Sequence, residues 1–109
     1  MNEKFYSIEE TIGQELEVFH LELTDEELID LPIVISTFEN LEYLDFSGNQ
    51  IKNIPNFISQ LVKLKQLHLN SNEIDRIEPT IFELKQLTHL HLSHNNITKL
   101  LFSTYFFTF

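Results

Sequence analysis

The chain has 109 residues, five histidines, no cysteine and a net charge of −10. That length is one domain's worth at most, and the missing cysteine excludes a disulfide framework, a thiolate metal site and a cysteine nucleophile. Eleven acidic residues and one lysine fall in residues 1–40, so the whole imbalance sits there; such an acidic half disfavours nucleic acid and anionic membrane as partners.

This acidic end is either a solvated surface that aids solubility or a docking face for a basic partner. The opening MNEKFYSIEE has no apolar h-region, so no leader is read there. No apolar run approaches a membrane span. Together these features suit a cytoplasmic setting.

In residues 1–17, Ser7-x-x-Glu10 has the spacing of a capping box. It would open a short amphipathic helix through Ile8, Ile12 and Leu16. The segment also reads as a degenerate partial copy of the repeat that begins at Val18, with Phe5, Ile8 and Ile12 extending its columns backwards and Glu15 breaking one. Either way it serves as an N-terminal cap over the open edge of a stack.

From residue 18 the chain repeats. VFHLELTDEEL starts at Val18, LEYLDFSGNQI at Leu41, LKQLHLNSNEI at Leu64 and LTHLHLSHNNI at Leu87, each 23 residues after the last. The four units are 18–40, 41–63, 64–86 and 87–109. The columns continue beyond these stretches. Leu28, Ile51, Ile74 and Ile97 align, as do Leu31, Ile54, Ile77 and Leu100, and Ile35, Ile58 and Ile81. Leu44 and Phe46 alternate with polar neighbours, the period of a strand with one buried face. Ile58, Leu61 and Leu64 recur at threes, which suits an irregular or 3₁₀ return arm. Pro32 and Pro55 are equivalent and Pro79 is one place later; proline is acceptable outside a ladder that needs its N–H. One coil cannot bury its own apolar side, so the coils must stack.

The pattern resembles the leucine-rich repeat family in its 23-residue form, L-x-x-L-x-L-x-x-N-x-[LI]-x-x-[LI]-P. The resemblance implies an α/β-type solenoid: a right-handed coil with short parallel strands on a concave face and irregular or 3₁₀ return segments. Asn49, Asn72 and Asn95 match its asparagine column, a structural ladder in which the amides satisfy backbone groups at a bend. Glu26 departs from that column and predicts a looser or more exposed first bend.

Residues between the inward leucines face the concave side. One outward column is His20, Tyr43, Gln66 and His89. The next is Glu22, Asp45, His68 and His91. A third holds Thr24, Ser47, Asn70 and Ser93, with Asp25, Gly48, Ser71 and His94 at its rim. Asp45, His68, His89 and His91 have the residue types of a zinc or nickel site, but polar residues collect on an open face without any site, and such a surface offers little support to ligands. Neighbouring imidazoles repel when charged, so acidification below about pH 6 is expected to change the sign of the C-terminal half of the face. Ser47, Ser71 and Ser93 lie near histidines, yet a strand surface offers neither pocket nor oxyanion donors.

The last unit has an aromatic return arm, Phe102, Tyr105, Phe106, Phe107 and Phe109, and no capping segment after it. This points to a truncated array, an aromatic self-cap, or an edge for self-association. The resemblance implies a non-enzymatic module that binds a protein partner, without cofactor, nucleic acid or membrane. Its contact residues would be His20, Glu22, Tyr43, Asp45, Ser47, Gln66, His68, Asn70, His89, His91 and Ser93, with Tyr43 the anchor. The alternative is a metal-binding or pH-responsive histidine surface.

Overall fold

A computed structural model describes residues 3–100, with Lys99 and Leu100 described by backbone alone. The elements run β1 (Lys4–Phe5), η1 (Glu9–Thr11), η2 (Glu15–Glu17), β2 (His20–Glu22), η3 (Ile33–Thr37), β3 (Tyr43–Asp45), η4 (Asn56–Gln60), β4 (Gln66–His68), β5 (Arg76–Ile77), η5 (Pro79–Glu83), β6 (His89–His91) and β7 (Lys99–Leu100). Every η element is a 3₁₀ turn, and no α-helix occurs among the described residues. Strands β1-β2-β3-β4-β6 form one parallel sheet in that order, and β5 pairs with β7 where the return arms begin. The aromatic arm of the last unit lies outside the described residues.

Sequence alternation creates the sheet. Leu21, Leu44, Leu67 and Leu90 are buried on one side of their strands while the flanking residues stay partly exposed. The register steps by one repeat at each strand: His20 lies beside Tyr43, Tyr43 beside Gln66, and Gln66 beside His89. The ladder runs one residue past the strands, with Phe46 N–H donating to His68 O and Leu69 N–H to His91 O, both at 2.8 Å.

Each return arm closes with a five-residue 3₁₀ turn that buries one isoleucine, Ile35, Ile58 or Ile81. Pro32 and Pro55 immediately precede their turns, and Pro79 is the first residue of its own. Both places suit proline, because the first N–H groups of a helical turn have no partner inside it. The strand leucines, the arm isoleucines and Phe38, Leu61 and Leu84 form one continuous core. Each fully buried aliphatic side chain contributes about 1.5–3 kcal/mol. Leu87 and Ile97, in the last described coil, are only half-buried.

The asparagines tie each coil to the one before it. Asn49 Oδ1 accepts the N–H groups of Glu26 and Leu28, both at 3.0 Å, and its Nδ2 donates to Leu23 O at 2.7 Å. Asn72 does the same with Ile51 N–H (2.9 Å) and Phe46 O (3.1 Å). Asn95 does so with Ile74 N–H (3.0 Å) and Leu69 O (2.8 Å). An asparagine therefore serves the bend behind it. The first bend is exposed at Asp25–Glu27, yet it is closed by Asn49. An asparagine at Glu26 would reach back to the shortened first coil, which has no full bend to hold.

That first coil departs from the expected columns. Phe5 pairs with Leu21 in the sheet and so joins the strand leucines rather than the Leu28 column. The step is 16 residues here, not 23. Glu10 N–H does donate to the Ser7 hydroxyl, and the Glu10 carboxylate accepts from Tyr6 N–H at 2.7 Å. This box opens only the three-residue η1, not a helix through Leu16. Gly13 comes two residues later with φ +79, a left-handed turn that ends helical geometry at low cost for glycine. Ile12 and Leu16 are left 73% and 56% exposed, so neither joins the core. No described helix is long and apolar enough to cross a membrane.

Candidate interaction face

The side of the sheet away from the core carries the outward columns. Their two strand columns run in register, His20–Tyr43–Gln66–His89 and Glu22–Asp45–His68–His91. Lys4 pairs with His20 and extends the first column, a residue that a 23-residue step does not reach. Ser47, Asn70 and Ser93 form the third column and bond along it. Ser47 Oγ accepts Asn70 N–H at 3.2 Å, and Asn70 Oδ1 accepts Ser93 N–H at 2.8 Å. The rim residues Asp25, Gly48, Ser71 and His94 all sit at left-handed φ, between 56 and 76. They form the bend that ends the strand side, so His94 belongs to the turn and not to the strand surface.

The rings do not follow the columns. His20 stacks on Tyr43 with centroids 4.0 Å apart and planes at 6°. Tyr43 then crosses to the second column and meets His68 at 4.8 Å. His68 stacks on His91 at 4.4 Å. The result is one diagonal pile of four rings across β2, β3, β4 and β6, with His89 6.0 Å from His91 at its end. Gln66, displaced from the pile, accepts from His68 Nε2 at 3.0 Å. Glu22 accepts from His20 Nε2 at 2.8 Å. Both contacts place the proton on Nε2, because a carboxylate or amide oxygen can only accept.

Burial within the pile holds the His68 pKa below its ordinary value of 6.5. The positive charge that His91 gains on protonation adds to this, as do those of His89 and His20, while Asp45 opposes it. The Tyr43 hydroxyl pKa is raised from 10.0 by burial first, then by Asp45 and Glu22. Glu22 and Asp45 are register partners on adjacent strands. Among the described residues the lysine and arginine ion pairs are Lys65–Glu42 at 3.4 Å and Arg76–Asp75 at 3.3 Å, so neither carboxylate has a basic partner.

The metal candidates Asp45, His68, His89 and His91 are neighbours, but the rings of His68 and His91 lie face to face rather than converging edge-on. Among the described residues no three His, Cys, Asp or Glu side chains are grouped to hold a metal ion. Two surface depressions lie among the turns. One is lined by Ile29, Asp30, Gln50, Lys52, Asn53 and Glu73, the other by Asn53, Ile54, Pro55, Asn56, Arg76 and Glu78. Neither includes a residue of the strand face.

Known proteins share this architecture. Two family models match, "Leucine Rich repeats (2 copies)" over residues 39–81 and "Leucine rich repeat" over residues 62–103. No curated protein matches the sequence significantly. Among solved structures, an internalin C2 from Listeria monocytogenes is 21% identical with a TM-score of 0.64, covering 84% of this chain and 49% of its own. The plant peptide hormone receptor RGFR1, in complex with RGF2, is 22% identical with a TM-score of 0.61, covering 83% and 19%. TLR13, in a complex with ssRNA13, is 23% identical with a TM-score of 0.60, covering 88% and 17%. The chain thus spans about half the length of the internalin and under a fifth of each receptor. These likenesses carry the fold. With the two repeat models together covering 39–103, and the parallel strands, 3₁₀ arms and asparagine ties of its coils, the chain belongs to the leucine-rich repeat family.

Proposed function

We propose that the chain is a non-catalytic interaction module that binds a protein partner through the strand face, the concave side in its family. The observation that carries this reading is the pile of His20, Tyr43, His68 and His91 on the outer side of the sheet. Packed rings on a hydrogen-bonded sheet have already lost much of their rotamer freedom, so binding costs little further ordering. Tyr43 sits at the middle of the face, where anchors concentrate binding energy. Ser47, Asn70 and Ser93 border it with polar groups, and Gln66 and His89 complete the surface.

A protein partner also fits the charge. Glu22 and Asp45 oppose a phosphate backbone at neutral pH, which favours a peptide or protein over RNA of the kind named in the TLR13 structure. Affinity capture from native lysate tests the reading, comparing the wild-type chain with Tyr43→Ala/His91→Ala. Partners retained by the wild type and lost by the variant support it. Equal capture by both overturns it.

A further inference from the structure

We infer that the strand face is built for a basic, arginine-bearing segment of its partner and releases that segment on acidification. This rests on the reading of the strand face as the contact surface.

Glu22 and Asp45 are directly paired across β2 and β3, on strands about 4.8 Å apart. Like charges so placed destabilise a sheet. Both accept hydrogen bonds from uncharged groups, Glu22 from His20 Nε2 and Asp45 from Ser47 N–H, and neither meets a lysine or arginine among the described residues. A cation seated between them removes the repulsion. Guanidinium suits the place, since its planar fork can bridge two carboxylates. The faces of the Tyr43 ring are occupied by His20 and His68, so the cation approaches the carboxylates and the ring edges.

The imidazoles supply the release. His68 is faced by Tyr43 and Asp45 from β3, by His89 and His91 from β6 and by His20 from β2, with Gln66 on its own strand. At neutral pH the strand columns carry Glu22 and Asp45 against Lys4 alone, at the edge. Protonation of four histidines reverses that sign and places positive charge beside a bound cation.

The test uses fluorescence anisotropy in about 0.15 M salt. The probes are a labelled peptide of four arginines spaced by Gly-Ser and its glutamate counterpart. At about pH 7.5 the arginine peptide should bind the full chain, and at about pH 5.5 it should bind about tenfold more weakly. Glu22→Gln/Asp45→Asn, which keeps both hydrogen bonds, should weaken it about tenfold, and the equal charge loss of Asp30→Asn/Glu39→Gln by less than about twofold. Equal losses in the two double variants would mean diffuse charge and overturn the inference. So would preference for the glutamate peptide, or binding unchanged by acid. Any of these leaves the strand-face reading standing if capture still depends on Tyr43 and His91; if it does not, both fall.

Discussion

The ring of Tyr43 lies 4.8 Å from that of His68, although the register pairs Tyr43 with Gln66 and His68 with Asp45. This diagonal contact joins two columns into one pile. It makes Tyr43 the link between His20 on one side and His68 and His91 on the other.

Tyr43→Ala should therefore separate the pile into two parts. The ring-current shifts of the His20 and His68 imidazole protons should collapse toward exposed values in NMR spectra. Stability should fall by about 0.5–1.5 kcal/mol for each aromatic pair broken, beyond the area term, as measured by urea unfolding. Unchanged His20 shifts would show that Tyr43 does not organise the face.

The His68 imidazole should titrate below 6.5, and its neighbours set the direction of further change. Asp45→Asn removes a charge that raises the value, so the midpoint should drop further. His91→Ala removes a charge that lowers it and opens the pile, so the midpoint should rise. Because the folded-state value is depressed, the unfolded chain binds the proton more tightly. His68 thus contributes full stability above about pH 6.5, lost as pH falls through its folded value. Histidine resonances followed against pH, alongside urea midpoints, check both statements.

Asn72→Ala should be the costliest change in the asparagine ladder. It leaves the buried N–H of Ile51 without its acceptor and removes donors to Phe46 O and Leu69 O. Each buried group left unpaired costs about 1–3 kcal/mol. Asn95 makes the same bonds but is half-buried, so water replaces part of them and Asn95→Ala should cost less. Comparable losses in the two variants would mean that burial does not govern the ladder.

Gly48→Ala should destabilise by two separable routes. Gly48 has φ +76, and an added Cβ would land on the Asp25 carboxylate. The left-handed backbone alone costs about 1–2 kcal/mol for a residue with a Cβ. Adding Asp25→Ala should recover the steric part and leave the backbone part. No recovery in the double variant would show that Asp25 already moves aside freely.

Much of this molecule is legible in its sequence. The leucine columns, the asparagine ties and the outward residues of each strand come from a 23-residue step that the chain keeps from Val18 onward. The first coil is not legible, because its step is 16 residues and a fixed period places Phe5 one column away from the Leu21 it pairs with. Lys4 escapes notice as a face residue for the same reason. The amphipathic helix expected through Ile12 and Leu16 fails because Gly13 turns the chain at the end of η1.

Periodicity and side-chain alternation by themselves determine the coil, its buried ribbon and which residues reach the outer face, because burial of apolar groups depends only on spacing along the chain. Which of those outward groups touch is decided by the folded sheet. Strand separation brings rings on neighbouring coils to within stacking distance, and rotamers then choose between a neighbour in register and one on the diagonal. That choice pairs Tyr43 with His68, places His68 among three other histidines, and leaves Glu22 and Asp45 side by side without a basic residue between them.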